Sequence, residues 1–467
     1  MLPLITKTLG AHDYGIWAQV QVTIGLALGF VGLGLPYAMT RFLPAKTNRE
    51  EIQEEFYSVL SVVFLATALV SIIFIIFAGF IAGAFFDGAT VIVKITGLII
   101  LLWSLDWVFL SFFRTFRQMN RYSIFVIADT YVQVGLIAYL VLNGHGILGI
   151  ALVVLAIRAV IFVVLFFLVK SQIGLRRPRF RRIKEYLTFG LPGIPANISA
   201  WVVASSDRYV IGYFLGAASI GVYSAGYGLG SLIMMPATVL GFVLPPVLSK
   251  LYDEGRMDEV KIHLRYSLKY VLALAIPFVL GATILAEPVL RLFSTAEIAG
   301  QGHSILPLVA LSILFYDTYV IISHILAVAK KTKIIGLIWT IAGVANLGLN
   351  IVVVPHLGIL GAALTTLIAY ALALGIGIYY SFKEFRFSID WRFIIKSLVA
   401  SAIMSLVIWA MHPQSSLATI IAVIVGAAVY GLVIFLLKGF RRDEISFFRR
   451  LLRPTIPVAS PDDDKAK

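Results

Sequence analysis

The sequence predicts an all-α polytopic membrane protein whose two halves repeat one another. Three observations support this fold class. Hydrophobic residues make up 60% of the 467 residues and charged residues 13%, against about 45–50% and about 25% in soluble domains. Apolar blocks of membrane-spanning length follow one another along the chain, and short segments of the first half return in the second half.

The formal net charge of +14 does not indicate nucleic-acid binding, because the Lys and Arg residues lie in short runs between the apolar blocks. This distribution is typical of loops at a membrane surface. The chain has no cysteine, which excludes disulfides and thiolate metal sites. Nothing in the sequence indicates a cofactor or a metal site.

Thirteen apolar blocks are long enough to cross a hydrocarbon core of roughly 30 Å as helices of about 20 residues. None keeps the two-residue alternation of a membrane β-strand. The predicted spans cover residues 15–43, 55–86, 90–114, 122–142, 146–170, 186–213, 219–249, 262–285, 304–329, 333–355, 358–382, 393–411 and 416–437. The tail after Arg453 is predicted to be disordered.

Basic residues follow the odd-numbered spans and are almost absent from the other loops. The positive-inside rule therefore predicts that these basic loops and the C-terminus are cytoplasmic. The richest run, RRPRFRRIK from Arg176 to Lys184, is interpreted as a topology signal, with a specific site for anionic lipids as the alternative. The predicted units are an N-terminal lobe (1–171), a basic cytoplasmic linker (172–185), a C-terminal lobe (186–383), two accessory spans (384–438) and a cytoplasmic tail (439–467).

Three features recur in the same order, 206 to 212 residues apart. They are LGAHDYGIWA at Leu9 with LGAASIGVYS at Leu215, Asp106 in WSLDWVF with Asp317 in LFYDTYV, and GILGIALVV at Gly146 with GILGAALTT at Gly358. When the sequence is shifted by this offset, each span of the first half aligns with the span six positions later in the chain. Because six is even, the two lobes point the same way, related by an axis along the membrane normal. We expect the glycines of the first motif to allow a tight turn and close helix approach.

The first motif copy lies almost at Met1, whereas span six precedes the second copy. The counterpart of span six would begin about 20 residues before Met1, the length of one membrane span. Counting the loops also places Met1 outside the cell without a signal peptide. We therefore expect that the first helix is missing, that the true start lies upstream, and that the first lobe shows only five of its spans.

Ionisable residues inside spans cost of order 2.5–3.5 kcal/mol on insertion scales and are therefore functional candidates. Arg158 lies halfway along span five, and its guanidinium suits phosphate or pyrophosphate oxygens. An ion pair with Asp129 is the alternative role. Asp106 and Asp317 are interpreted as interhelical hydrogen-bond partners, with protonatable coupling groups as the alternative.

Asp207 and Arg208 lie toward the outer third of span six. Neighbours along a helix diverge by about 100°, so we expect each to have its own partner and both to line the outward side of a cavity. Arg41 and Arg114 close the predicted cytoplasmic ends of spans one and three. Topology anchoring is the simpler interpretation of these two arginines, and reception of an arriving headgroup is the alternative.

Enzymatic classes find no support in the sequence. No HExxH, GxSxG, Walker or DxD-like constellation lies in an accessible loop, and the loops are too short for a catalytic domain. The missing phosphate-binding loop also argues against an ATP-driven pump. We therefore expect a transporter or a membrane scaffold rather than an enzyme.

Three segments carry a family resemblance: LGAHDYGIWA, FGLPGIPANISAWVVASSDRYVIGYFLGAASIGVYSAGYGLGSLIMMP and NLGLNIVVVPHLGILGAALTTLIAY. Together they resemble the polysaccharide-biosynthesis (Wzx-type) flippases of the multidrug/oligosaccharidyl-lipid/polysaccharide (MOP) transporter superfamily, which also includes MurJ-type flippases and MATE exporters. The resemblance implies two six-helix lobes and two accessory helices. It also implies alternating-access flipping of a lipid-linked oligosaccharide on a polyprenyl phosphate or diphosphate, with H⁺ or Na⁺ coupling open.

The resemblance implies a multi-pass protein of the cell membrane that acts as a monomer, with the lipid-linked glycan and membrane lipids as its partners. Family members usually have fourteen spans, and the missing helix would border the cavity between the lobes. The rival hypothesis is a MATE-like cation exporter. Cationic drugs favour buried carboxylates and a phosphorylated headgroup favours buried cations, but the ionisable set named above contains both. A third hypothesis, a membrane scaffold that transports nothing, remains only if the cavity between the lobes is dry and apolar.

Overall fold

The computed structural model describes residues 1–440 and residue 444, and every regular element in this part of the chain is helical. The longer helices are α1 (Leu2–Val31), α2 (Leu35–Phe42), α3 (Arg49–Ile76), α4 (Ala78–Phe85), α5 (Thr90–Thr115), α6 (Met119–Leu142), α7 (Ile147–Ile173), α8 (Ile183–Gly190), α9 (Ile194–Leu215), α10 (Ala217–Gly230), α11 (Met234–Asp253), α12 (Met257–Phe293), α13 (Ala296–Gly302), α14 (Ile305–Val328), α15 (Thr332–Glu384), α16 (Trp391–Met411) and α17 (Ser416–Leu436). Short 3₁₀ turns occupy Leu43–Ala45, Leu191–Gly193 and Ser231–Ile233. The predicted disordered tail after Arg453 lies outside the described residues.

Eleven segments of the described chain are long and apolar enough to cross a membrane. Two of these are long enough for two crossings each, namely Ile183–Asp253 with 71 residues and Thr332–Glu384 with 53 residues. Gly216 and Gly358 divide them, with φ of +79° and +59° that only glycine adopts without strain. Divided at these glycines, the segments account for the thirteen predicted spans, and the prediction of a polytopic helical protein is confirmed.

Several spans are broken where the sequence suggested one helix. Predicted span one is divided by Leu33 and Gly34, both with positive φ, so α2 follows α1 as a separate short helix. Predicted span 55–86 is divided at Phe77, which leaves the helical region with ψ of +16°. Pro192 lies in the 3₁₀ turn between α8 and α9, where its ring interrupts regular α-helix.

The helices form two lobes and an accessory pair. Helices α1 to α7 build the first lobe, in which α5 packs against both α3 and α7. Helices α8 to α15 build the second lobe, in which α15 packs against both α9 and α14. The accessory helices α16 and α17 pack against α12. The most extensive contact between the lobes joins α1 to α10.

The two copies of the repeated motif meet at this contact between α1 and α10. Gly10 and Gly216 turn the chain at the start of each copy, with φ of +83° and +79°. A Cβ built on Gly15 would lie 1.8 Å from the carbonyl oxygen of Ala217, and a Cβ on Gly221 would lie 1.9 Å from that of Ala11. The predicted roles of these glycines in a turn and a close approach are therefore confirmed. We call this side of the molecule the motif end and the opposite side, which carries Arg176 to Lys184, the linker end.

The lobes differ in how their helices are covered. On α6 only Ile137 and Val141 are buried, whereas the first half of α15, its counterpart in the second lobe, is covered by α9. The segment before the turn at Gly10 is short in the described chain, residues 2–9, while α9 before Gly216 has 22 residues. The upstream helix expected from the sequence stays a prediction.

Candidate functional site

Arg158 is the centre of a buried ion cluster in the first lobe. Its Nη2 donates a hydrogen bond of 2.5 Å to Oδ1 of Asp129 on α6, and its Nη1 lies 3.8 Å from Oδ2 of Asp106 on α5. The guanidinium also lies over the ring of Trp103, with its carbon 4.1 Å from the ring centroid. The Arg158 side chain is 2% exposed, so this cation is held inside the protein by two carboxylates and one aromatic face.

This cluster contains the Asp129 ion pair that the sequence offered as the alternative role of Arg158. With two carboxylates around one guanidinium, negative charge exceeds positive charge when both carboxylates are ionised. Arg158 is thus not a free cation in this conformation, and its contact with a substrate phosphate stays a prediction. Neither oxygen of Asp106 has a hydrogen-bond partner among the described residues, so the hydrogen-bond interpretation of Asp106 is wrong.

Asp317 is the repeat counterpart of Asp106, but its surroundings differ. It is fully buried on α14, and within residues 1–440 and 444 neither carboxylate oxygen has a hydrogen-bond partner. No arginine takes the place of Arg158, because Tyr370 stands at the equivalent position, 212 residues later. The hydrogen-bond interpretation is therefore also wrong for Asp317, and coupling by a proton or cation stays a prediction for both carboxylates.

Asp207 and Arg208 belong to a buried cluster near the motif end. Nη1 of Arg208 donates to Oδ1 of Asp207 at 3.0 Å and to the carbonyl oxygen of Ala204 at 2.9 Å. The guanidinium carbon lies 4.1 Å from the ring centroid of Tyr227, and the hydroxyl of Tyr223 donates to Oδ2 of Asp207. The expectation that these two neighbours do not pair is wrong.

The reason is the length of the arginine side chain. It folds back along α9 toward Ala204, one turn earlier, and thereby carries the guanidinium to the carboxylate of Asp207 although the two Cα–Cβ bonds diverge. Asp207 also accepts the backbone N–H of Arg208 at 2.8 Å. Asp207 is fully buried and Arg208 is 7% exposed. Their place on the wall of an outward cavity stays a prediction.

Arg41 and Arg114 have different surroundings at the linker end. Arg41 on α2 lies over the ring of Phe189 on α8, with its guanidinium carbon 5.0 Å from the centroid. Arg114 ends α5 as an exposed side chain and has no ion pair among the described residues. The structure therefore brings only Arg41 to the contact between the lobes. At this contact a Cβ on Gly34 would lie 2.4 Å from the carbonyl oxygen of Gly190.

An acidic surface that was not predicted from the sequence holds the basic linker. Three glutamates in the first two turns of α3 bind alternate arginines of the linker. The ion pairs are Arg176 with Glu50 at 2.7 Å and with Glu54 at 3.1 Å, Arg179 with Glu54 at 3.2 Å, and Arg182 with Glu55 at 3.5 Å. The run REEIQEE after span one was the available signal, because acidic residues interrupt loops that are otherwise basic.

Two further contacts fasten this surface. The hydroxyl of Tyr186 on α8 donates to Oε2 of Glu55 at 2.5 Å, so the second lobe is bonded directly to α3. Lys46 donates to Glu51 at 2.9 Å, and this hydrogen bond raises the pKa of Lys46. The linker is therefore joined to the first lobe by a charged network rather than left free in solvent.

An apolar groove runs between the second lobe and the accessory helices. Residues of α10, α12, α14, α16 and α17 and of the short turn after α10 line this groove, which measures roughly 1540 Å³ with the open space at its mouth included. Its polar lining residues within the described chain are Thr419 and Tyr430, and the others are apolar residues such as Leu274, Phe278 and Ile424. The groove matches a hydrocarbon chain in its surface chemistry.

Together, the two repeated lobes, the accessory pair and the charged groups buried inside the lobes define a multi-pass helical membrane protein. Comparison with known proteins defines its family. The sequence profile of the family described as polysaccharide biosynthesis protein matches residues 4–297, and the chain belongs to this family.

A curated relative is the "Probable flippase AglR" of Haloferax volcanii, 23% identical over 248 residues. This match covers 51% of each protein, so the chain spans about half the length of this relative. Among solved structures, the lipid II flippase MurJ in an inward closed conformation has a TM-score of 0.77 at 21% identity, covering 97% of this chain and 96% of that one. An inward-facing MATE family transporter of the MOP superfamily has a TM-score of 0.70 at 16% identity, covering 82% and 92%.

Proposed function

We propose that this protein flips a lipid-linked oligosaccharide from the cytoplasmic to the outer face of the cell membrane by alternating access. The oligosaccharide is carried on a polyprenyl phosphate or diphosphate. Family membership and the flippase named above support this activity. The observation that carries the proposal is the close backbone approach of the lobes at two places, one at the motif end and one at the linker end.

Both ends contain a close approach of backbone between the lobes. At the motif end Gly15 and Gly221 allow α1 and α10 to touch, and at the linker end Gly34 and Gly190 allow α2 and α8 to touch. Close backbone approaches do not interlock long side chains, so the lobes can separate at these points. At the linker end, separation also breaks the hydrogen bond of Tyr186 with Glu55 and the contact of Arg41 with Phe189. Alternating access requires such a separation at each end in turn.

The apolar groove supports a substrate that is partly lipid. Removing a polyprenyl chain from water is favourable by about 0.8 kcal/mol for each CH₂ group. Inside a membrane this gain is already made, and only close packing against the protein adds binding free energy. A preformed groove of matching shape provides such packing. The groove borders the second lobe and the accessory pair. We place the hydrocarbon tail there while the glycan passes between the lobes.

The proposal includes an orientation and an energy source. The linker and the C-terminus lie in the cytoplasm, in accord with the basic loops. The buried carboxylates Asp106 and Asp317 bind H⁺ or Na⁺ to drive the cycle, because a buried carboxylate without a hydrogen-bond partner favours a proton or a cation. Arg158 and Arg208 exchange their present partners for substrate phosphate during the cycle. The protein acts as a monomer and performs no chemistry on its substrate.

A cation exporter is the second candidate, favoured by one observation. Carboxylates outnumber the guanidinium in the Arg158 cluster, and the fold is shared with a MATE family transporter. In that case the excess negative charge would bind a cationic substrate.

The test uses the full chain in proteoliposomes. We expect a fluorescent lipid-linked oligosaccharide to become accessible in the opposite leaflet at a rate that protein-free vesicles do not reach. A cationic dye loaded into the same vesicles serves as the second probe. Export of the dye under an H⁺ or Na⁺ gradient, without movement of the lipid-linked oligosaccharide, would overturn the flippase proposal in favour of the exporter.

A further inference from the structure

The basic linker presents two chemically different faces. The three arginines bound to α3 are neutralised, as described above. The other basic side chains of the run are exposed and have no ion pair or hydrogen bond with any described residue, and these are Arg177, Arg181 and Lys184. The run is therefore more than a uniform topology signal. Three of its six positive charges form ion pairs with the first lobe, and the other three are available to a ligand.

Two of the available cations border a concave surface beside α8. Arg181 and Lys184 line it together with Thr188 and Phe189, around roughly 900 Å³ of open space. The one carboxylate on this surface, Glu185, lies 3.9 Å from the guanidinium of Arg182. The surface therefore keeps a net positive charge from residues that have no internal partner.

Arg41 brings a third cation to the same place from the other lobe. Its guanidinium carbon lies 5.0 Å from the ring centroid of Phe189, and Arg41 forms no ion pair within residues 1–440 and 444. Phe189 thus contacts Arg41 of the first lobe and also lines the surface that carries Arg181 and Lys184. Guanidinium and ammonium groups of this kind are the usual ligands of phosphate oxygens.

An aromatic platform adjoins these cations. The rings of Phe189 and Tyr37 are stacked, with centroids 5.7 Å apart and planes inclined by 13°. Tyr37 is 65% exposed, so one face of this pair is open to a ligand. A flat aromatic face next to a phosphate site accepts the apolar face of a sugar ring. Phospholipid headgroups without a ring would leave this platform unused.

We propose that Arg41, Arg181 and Lys184, arranged around Phe189, form a receiving site for the phosphate or diphosphate of the lipid-linked substrate before it passes between the lobes. The inference rests on the proposed flippase function. The position of the site supports this proposal. Gly34 and Gly190 lie beside the site and form the contact between the lobes that must open at the linker end. A headgroup held here engages both lobes at once.

The experiment measures protection of one cysteine. The natural chain has no cysteine, so Thr188→Cys gives the full protein a single thiol in the wall of the site. The protein is placed in phosphatidylcholine nanodiscs and treated with a negatively charged methanethiosulfonate reagent. We expect geranylgeranyl diphosphate to slow this reaction, while geranylgeraniol, which lacks the phosphates, has no effect.

Charge variants test which residues provide the protection. Arg181→Gln and Lys184→Gln should each weaken protection by geranylgeranyl diphosphate about fivefold, the effect of one basic residue near a membrane surface. Arg41→Gln should act in the same way. Arg177→Gln is the matched control, since it removes the same charge from the same linker outside the site, and it should leave the midpoint of protection unchanged.

The outcomes separate this site from the flippase proposal. Equal protection by phosphatidylglycerol would show a general site for anionic lipids and overturn the assignment to the substrate. Equal losses in Arg177→Gln and Arg181→Gln would overturn the site as well, because surface charge alone would then explain the binding. Specific protection in a protein that fails to flip lipid-linked oligosaccharide would support the site and refute the flippase function.

Discussion

Gly15 and Gly221 hold the same position in the two copies of the repeated motif, and each excludes a side chain from the other copy. A Cβ on either residue would lie less than 2 Å from a carbonyl oxygen across the contact, at Ala217 or at Ala11. Real Cβ atoms do not come this close to backbone, so neither position can carry a side chain while the motif end is closed. The closed state of the motif end therefore depends on these two residues.

Gly221→Ala should shift the protein toward a state that is open at the motif end. Overpacking of a tight contact costs about 1–3 kcal/mol, which we expect to raise the reactivity of Ala18→Cys toward a polar thiol reagent by about tenfold. Ala18 is suited to this measurement because it is buried in the core that joins α1 to the second lobe. Gly228→Ala on the same helix is the control, since its Cβ would meet no atom within 4 Å. Equal reactivity in both variants would contradict the prediction.

Arg158→Gln should strongly destabilise the protein, because it leaves Asp106 and Asp129 without their shared cation. Removing one partner of a buried ion pair costs about 3–5 kcal/mol. Thermal unfolding in detergent measures this loss, and the double variant Asp129→Asn with Arg158→Gln should recover part of it. Lys94→Gln, an exposed change on α5, serves as the control.

The same double variant separates the two roles of Arg158. Normal flipping by a stable double variant would mean that Arg158 is only half of a structural pair. A stable double variant without flipping would support contact with the substrate phosphate.

Tyr223→Phe should destabilise the Arg208 cluster, because Asp207 is fully buried and loses the hydroxyl that donates to its Oδ2. The expected loss in the free energy of unfolding is about 1–3 kcal/mol. Tyr131→Phe, at a side chain that is 74% exposed, should change stability by less than about 0.5 kcal/mol. Similar unfolding curves for the two variants would show that the hydrogen bond contributes little.

Some elements of the fold can be predicted from the sequence and others cannot. Span number, the repeat and the turn at Gly216 follow from hydrophobic length and from glycine, which are local properties of the chain. The pairing of Arg208 with Asp207 does not, because the rotamer of a long side chain depends on Tyr223 and Tyr227, which lie on the next helix.

The charged groups show the same limit to what can be predicted from the sequence. Arg158 and Asp129 could be paired from the sequence because adjacent spans bring them to similar depth. The glutamates of α3 and the arginines of the linker are more than 120 residues apart in the chain. Their contact is decided by the packing of the first lobe, and only the unusual acidic run gave a hint of it.

Ile424→Trp should slow flipping of a lipid-linked oligosaccharide, because it fills part of the apolar groove between the second lobe and the accessory pair. We expect a reduction of several-fold in the initial rate in proteoliposomes. Leu432→Trp is the matched control on the same helix, with 60% exposure against 62% for Ile424, at a position outside the groove. Equal rates in the two variants would remove the groove from the transport path.

The contact at the motif end is isologous, in the sense used for symmetric dimers: Ala11 meets Gly221 in the same way that Ala217 meets Gly15. Two identical chains that carry one motif each can form such a contact without any new surface. The same interface could therefore form between two separate copies of a single lobe, each carrying one motif. The ion pairs of the linker take no part in this symmetric contact, because they join the linker to the first lobe alone.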